Sequence, residues 1–308
     1  MRPRKEGIRM FNKFIVVTDL SAAADAVVKN LSELKAYGAD ECLLLECLSL
    51  PQVGSAGLYY TYGILEKSLQ DQREMLEKQG FKVETRILPG LAKSEVNRIA
   101  EEEDYSLIVA GALTSSLMNE AIWGGIAYEI IHHCTRPTLL VRLGEVRHEG
   151  VPVTEPVRAE YSRHILFPTD FSATANLAFQ TVRKLSYERT KKITLMHVQD
   201  QARIDPHLLG QLEEFNEIDE ARLAAMKEDL QADADIEVDT ILKYGNPSKE
   251  ILAAIRESDM QLVVMGSQGR GFVNDLFLGS VSHNVARHSD ASVLLIPAKR
   301  IEDREAGT

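Results

Sequence analysis

A chain of 308 residues, with 44% hydrophobic and 26% charged side chains, has the make-up of a soluble protein with room for about two domains of ordinary size. Its formal net charge of −11 at pH 7 argues against broad contact with nucleic-acid phosphates or anionic lipid, although a local basic spot can still hold one small anion. The three cysteines, Cys42, Cys47 and Cys134, are odd in number and form no C-x-x-C, which argues against a disulfide framework or zinc ribbon and for a reducing compartment.

The N-terminus is basic but no apolar signal core follows it, and no apolar run approaches the roughly 20 residues of a membrane span. The expected location is cytoplasmic, with neither membrane nor nucleic acid as partner.

In chain order, short apolar runs rich in β-branched residues at 14–17, 42–45, 83–87, 107–110 and 138–141 alternate with segments of helical period at 22–36, 64–79, 93–103 and 120–134. Residues 144–162 carry two prolines and two glycines with little helical period, and read as a linker. A second series of apolar runs follows at 164–167, 193–198, 236–242, 262–265 and 293–296, and the charged residues 300–308 form a tail. Continuous apolar strands alternating with helices predict an α/β fold with a parallel sheet covered on both faces and right-handed crossovers. The expected organisation is two tandem five-stranded domains, 1–143 and 163–299.

The two series repeat one another. Thr18-Asp19-Leu20-Ser21 recurs as Thr169-Asp170-Phe171-Ser172, Gly90 as Gly245, and Leu107 to Gly111 as Leu262 to Gly266. Thr138-Leu139-Leu140-Val141 recurs as Val293-Leu294-Leu295-Ile296. Four anchors in one order at nearly constant spacing are hard to obtain by chance.

The chemistry concentrates in the second copy. The strand at 262–265 runs into Gly266, Gly269 and Arg270, and then into Gly279-Ser280-Val281. In a parallel α/β sheet, ligands bind beyond the carboxyl ends of strands. Glycines there allow positive φ and let N–H groups approach an anion. Ser280 is the expected N-cap of a helix over 281–288, whose N-terminus favours phosphate, and Arg270 adds a mobile positive charge. Asp170 ends the first strand, where a carboxylate can accept from a ribose hydroxyl or bind a metal that bridges to phosphates. His197-Val198 ends the second strand, and its exposed backbone can pair with a purine edge.

Plainer readings stand beside these. Residues 266–280 can be a structural turn, Asp170 and Ser172 can cap the next helix, His197 can be a buried strand residue and Arg270 a solvated one. No G-x-x-x-x-G-K-[ST] occurs, and Gly269-Arg270-Gly271 has Asn274 where a dinucleotide fingerprint needs its third glycine. His132-His133-Cys134 cannot all face one ion on a helix. Cys42 and Cys47 are expected in the core, 54–63 as a flexible loop, and the acidic helix around 213–228 as a solvated face.

Pro168-Thr169-Asp170, His197-Val198 and the spacing of Gly266, Gly269, Gly279 and Ser280 resemble the universal stress protein family in its ATP-binding branch. The resemblance covers nearly the whole chain as two tandem domains. It implies an adenine-nucleotide alpha hydrolase-like, Rossmann-like topology, with ATP as the ligand, with or without Mg. In that branch Asp170 meets ribose or metal and Val198 meets adenine through its backbone. Gly266, Gly269, Arg270, Gly279 and Ser280 hold the phosphates, with Pro168, Thr169 and Val281 beside them. The family further implies pairing of domains through their fifth strands, here 138–142 and 293–297, within the chain or in a homodimer.

The first copy departs from the pattern. Gly111 and Gly124 remain, but Thr114 replaces the middle glycine, Ser115 the arginine and Gly125 the serine, while Glu46 takes the place of His197. The first copy is therefore expected to bind ATP poorly or not at all. Three functions follow: a stress-response regulator whose conformation or assembly follows ATP, a slow ATP hydrolase, or a scaffold without ligand. Against the enzyme, the sequence supplies no clear general base at the loop and no second acid cluster for metals.

Overall fold

The computed structural model describes residues 10–48, 58–113, 126–132, 135–187, 189–205, 208–269 and 278–298. They fall into two compact units, Met1–Ala159 and Glu160–Thr308.

The first unit contains β1 (Lys13–Thr18), α1 (Ala22–Val28), β2 (Glu41–Leu48), α2 (Leu58–Lys78) and β3 (Lys82–Pro89). It continues with α3 (Ala92–Glu102), β4 (Leu107–Leu113), α4 (Ile126–Ile131), β5 (Thr138–His148) and β6 (Val151–Pro156). Its strand order is β3-β2-β1-β4-β5, all parallel, with β6 added antiparallel to β5. The second unit contains β7 (Ile165–Thr169), α5 (Ala173–Ser186), β8 (Lys192–Asp200), α6 (Gln201–Ile204) and α7 (Leu212–Asp233). After them come β9 (Glu237–Gly245), α8 (Pro247–Glu257), β10 (Leu262–Gly266), α9 (Ser280–His288) and β11 (Ser292–Ile296). Its order is β9-β8-β7-β10-β11, again all parallel. The expected α/β class is the class observed, and in each unit the fourth strand lies beside the first. That neighbouring pair is the topological switch point, where the crossovers diverge and a crevice opens.

The inner strands are apolar and buried along most of their length because helices cover both faces. Every residue of β7, β10 and β11 is buried. Phe167 of β7 packs on Phe179 of α5 at 5.7 Å between ring centroids, and Phe14 of β1 meets Phe81 edge-on at 5.1 Å. Among the described residues, no helix is long and apolar enough to cross a membrane.

Three local expectations need correction. The stretch read as a linker, 144–162, is largely a hairpin: β5 runs on to His148 and β6 returns, with His148 opposite Val151. Glu149 (φ +52) and Gly150 (φ +85) form a two-residue turn with both residues left-handed, the geometry that suits strand twist. Pro152 and Pro156 argue against a strand in the sequence, but an outer strand can turn their missing N–H away from its partner. The helix expected over 22–36 stops at Val28 and gives way to a 3-10 turn at Ser32–Tyr37. There the Leu31 N–H is taken by Gln79 Oε1 at 3.0 Å rather than by the preceding turn. The loop expected over 54–63 is helical from Leu58 onward.

Phe167→Ala would empty a site with no solvent exposure. We expect a loss of about 3–5 kcal/mol in urea denaturation of the second unit, against less than about 0.5 kcal/mol for Val153→Ala on the exposed hairpin.

Candidate functional site

Both copies of Thr-Asp-x-Ser fold into the same turn. In the second unit the Phe171 N–H donates to Thr169 Oγ1 (3.0 Å), the Ser172 N–H to Asp170 Oδ1 (3.0 Å) and the Ala175 N–H to Ser172 Oγ (3.2 Å). In the first unit Leu20, Ser21 and Ala24 donate to Thr18, Asp19 and Ser21 at 2.9, 3.0 and 3.2 Å. Strand end and helix start leave these N–H groups without backbone partners, and the three side chains supply acceptors. Phe171 and Leu20 are left-handed, at φ 57 and 56. That conformation costs a non-glycine residue roughly 1–2 kcal/mol, which the three bonds offset. Ser172 thus caps α5, and Asp170 both holds the turn and presents its carboxylate at the rim.

The loop glycines act differently from expectation. Gly266, Gly269 and Gly279 do not have left-handed backbones; Gly279 has φ −63. What Gly266 and Gly269 need is space. A Cβ on Gly269 would lie 2.8 Å from Asp170 Oδ2, and one on Gly266 would lie 2.9 Å from Thr174 Cγ2 and 3.2 Å from the Thr174 carbonyl carbon. Gly266 therefore lets α5 start against the end of β10. Gly111 in the first unit also lacks room for a side chain, but against the last turn of α1, where Val27 Cγ2 stands 2.8 Å from its missing Cβ.

The cap of α9 is Gly279, not Ser280, which is the first helical residue. No side chain caps this end, so the first N–H groups of α9 have no acceptor within the helix. The Gly279 N–H donates to Ser267 O at 2.8 Å and Ser282 Oγ to Gly266 O at 2.8 Å, pinning the helix start to the end of β10.

A cavity of about 660 Å³ opens over these strand ends, within the range of small-ligand sites. It brings together Pro168 and Thr169 from β7 with Asp170 just after it, Val198 from β8, Gly266 at the end of β10 with Gly269 beyond it, and Gly279, Ser280 and Val281 at the start of α9. Arg270 lies outside the described residues. β8 pairs with β9 as far as Asp200, whereas β7 ends opposite His197. Val198, Gln199 and Asp200 therefore overhang β7, and backbone groups on that edge have no ladder partner.

The other wall comes from residues that sequence reasoning missed. The acidic helix expected to be solvated turns Phe215, Ile218, Asp219 and Arg222 of α7 into the cavity, and α6 adds Arg203 and Ile204. The α7 residues sit at i, i+3, i+4 and i+7, a helical stripe that was the available signal. Asp219 is only 8% exposed. Its Oδ1 lies 3.2 Å from Arg222 Nη1, and its Oδ2 accepts from Gln199 Nε2 at 3.1 Å and stands 3.5 Å from His197 Nε2. His197 Nδ1 lies 2.7 Å from Thr169 O. A carbonyl can only accept, so this nitrogen carries the proton. The His197 ring packs on Phe171 at 4.6 Å, and the Arg222 guanidinium lies 5.2 Å over the same phenyl ring. His197 is thus the buried strand residue of the plainer reading, built into a bridge between β8 and α7.

The first unit's rim carries different chemistry. β4 continues past Gly111, with Ala112 and Leu113 still paired to Arg142 and Leu143, whereas β10 ends opposite Ile296. Gln72 of α2 accepts from Thr18 Oγ1 at 2.8 Å and donates to Asp25 at 2.6 Å. Glu46 holds the register position of His197, opposite Thr18, and is 7% exposed. Burial, and then the negative charge of Asp19, pushes its carboxyl up to about 7. Its Oε2 has no hydrogen-bond partner among the described residues. Thr114, Ser115, Gly124 and Gly125 lie outside the described residues.

Cys42 is buried as expected, but Cys47 is only half-buried. Burial, with Glu46 and Glu95 behind it, raises the Cys47 thiol to about 12. His133 and Cys134 fall outside the described residues, and the His132 ring packs on Tyr128 at 4.4 Å. Among the described residues, no group of three or more His, Cys, Asp or Glu side chains is placed to hold a metal.

A raised carboxyl pKa makes the folded state bind its proton more tightly than the unfolded state. The stability penalty is absent below the unfolded value, grows as pH rises towards 7 and is complete above it. Glu46→Gln removes the penalty, so we expect a gain on the order of 2–3 kcal/mol at pH 8 and less than about 1 kcal/mol at pH 5, measured by urea denaturation.

A parallel α/β domain occurring twice, with a ligand-sized crevice at the switch point of its second copy, defines the class. The sequence profile of the universal stress protein family matches residues 10–142 and again 162–297, and the chain belongs to that family. It is 31% identical to the universal stress protein MJ0577 of Methanocaldococcus jannaschii over 156 residues, 44% of this chain and 96% of that protein. It is 29% identical to the universal stress protein YxiE of Bacillus subtilis over 143 residues, 43% of this chain and 97% of that one. A crystal structure of a universal stress protein from Archaeoglobus fulgidus covers 95% of this chain and 98% of its own, with a TM-score of 0.70 at 22% identity, which shows the shared fold.

Proposed function

We propose that the second unit binds ATP in the cavity over β7, β8 and β10, and that occupancy sets the protein's conformation or assembly in a stress response. The observation that carries this reading is the chemical difference between the two ends of one cavity. At the β10 end stand the uncapped first turn of α9 and the close-packed Gly269, where oriented N–H groups and the helix dipole favour phosphate. At the β8 end stand Val198, Ile204 and Ile218, an apolar surface for a base. β8 and β10 flank β7, so the two ends lie roughly 10 Å apart, two strand spacings. Asp170 sits between them on the middle strand, within reach of a ribose or of a metal. Mg²⁺ is commonly held by one or two carboxylates together with substrate phosphates, and Asp170 is the carboxylate for that role.

The first unit fits this role poorly. Its β4 stays in the sheet beyond Gly111, whereas β10 ends at Gly266, and Glu46 adds a second carboxyl beside Asp19 where the second unit has His197. We therefore expect one ATP per chain.

Calorimetric titration tests both statements. Gly269→Val forces a side chain against the Asp170 carboxylate, and we expect ATP affinity to fall by about 100-fold or more, equivalent to roughly 2.8 kcal/mol. Near-normal binding in that variant, or two equivalents of ATP in the unaltered protein, would assign competence to the first unit. Mass spectrometry of ligand released from the purified, denatured protein adds the nature of the bound species: ATP supports the binding role, and ADP alone points to turnover.

A further inference from the structure

Arg222 is a cation fixed at the wall of the cavity with most of its donors unused. It reaches from α7 over the Phe171 ring, 5.2 Å from guanidinium to ring centroid, and its Nη1 donates to Asp219 Oδ1 at 3.2 Å. The ring contact and this bond together hold the guanidinium in place. Among the described residues its Nε and Nη2 make no hydrogen bond. Asp219 does not depend on Arg222 alone, since Gln199 Nε2 donates to its Oδ2 at 3.1 Å and His197 Nε2 stands 3.5 Å from the same oxygen. The Arg222 side chain is 51% exposed and lines the cavity, so its remaining donors are open to a ligand there.

Groups of opposite charge flank the place where the nucleotide reading above sets the sugar. Asp170 Oδ1 accepts from the Ser172 N–H, and its Oδ2 faces Gly269, whose Cβ would stand 2.8 Å away. Gly269 follows β10, so this carboxylate turns to the β10 side of β7. The Phe171 ring packs on His197 of β8 at 4.6 Å, so Arg222, lying over that ring, stands on the β8 side. A guanidinium grips phosphate through paired N–H donors. The geometry points to a second anion subsite at Arg222, which takes a phosphate carried on the ribose of the bound nucleotide, at its 2′ or 3′ oxygen. The inference rests on the nucleotide reading and narrows its ligand class to adenine nucleotides phosphorylated on the sugar as well as on the 5′ oxygen. The 5′ phosphates lie at the start of α9, the ribose over β7, and the sugar phosphate against α7. Arg203, the other described arginine of the cavity, stands 3.5 Å from Asp200 on its own short helix and serves as the control.

Calorimetric titration tests this with adenosine 5′-monophosphate against adenosine 2′,5′-bisphosphate and adenosine 3′,5′-bisphosphate, and with ATP as the control for the nucleotide site. We expect one of the bisphosphates to bind about 10- to 100-fold more tightly than the monophosphate, and the one that gains identifies the oxygen facing Arg222. Arg222→Gln should bring that bisphosphate and the monophosphate within about threefold of each other. Arg222→Met carries the same test if Arg222→Gln loses its cooperative melt. A protein that binds ATP but gains nothing from either sugar phosphate overturns the subsite while the nucleotide site stands. So does a gain that survives loss of the Arg222 guanidinium, or one that Arg203→Gln erases in its place. Failure of the unaltered protein to bind ATP removes the nucleotide reading itself, and this one with it.

Discussion

Three side-chain oxygens meeting three backbone N–H groups at the end of the first strand set the geometry of each unit. Thr, Asp and Ser of the turn serve the N–H groups that β7 and α5, or β1 and α1, cannot serve themselves. The left-handed residue in the middle, Phe171 or Leu20, reverses the chain tightly enough for the helix to begin beside its own strand. Because the fourth strand lies next to the first, this turn also sets how closely the loop after β10 can approach, and Gly269 packs directly on Asp170. The rim of the cavity is therefore anchored by the turn rather than by the loop.

On that shared frame the two units carry opposite chemistry. Where the second places His197, hydrogen-bonded to the Thr169 carbonyl and 3.5 Å from Asp219, the first places Glu46, with a buried oxygen and a raised pKa. The second unit ends β10 at Gly266; the first keeps β4 in the sheet as far as Leu113. Both rims keep the aspartate of the turn, Asp170 or Asp19, and the first adds the Glu46 carboxyl beside it. Duplication of a fold has preserved the hydrogen-bonded turn and the strand order, while the groups that meet a ligand have diverged.

The wall formed by α7 shows how a surface helix becomes part of a site. Most of its charges point to solvent, yet Asp219 binds Gln199 and Arg222 and approaches His197, and Arg222 covers the Phe171 ring. These contacts tie α7 to β8 and to the turn that holds Asp170. A helix joined through polar contacts to the strand ends is well placed to feel what occupies the crevice between them.

Much of the fold was legible in the residues alone, because burial on two faces forces continuous apolar runs and duplication leaves the same residues at the same spacing. The strands and the tandem repeat follow from those patterns, and the strand ends carrying Asp170, Val198 and Gly266 with them; Pro168, Thr169 and Val281 came from the family resemblance. Other features waited on the tertiary structure. Prolines concealed the β5–β6 hairpin, since only its outer position makes Pro152 and Pro156 tolerable. The reason for Gly269 is the Asp170 carboxylate, distant in the chain and adjacent only because β10 lies beside β7. Asp219 and Gln199 read as one charge on an acidic helix and one polar residue at a strand end until the fold set them 3.1 Å apart. Periodicity along the chain determines which face of an element is apolar; which faces meet is decided by strand order and helix packing, and the polar contacts of the site exist only where those faces meet.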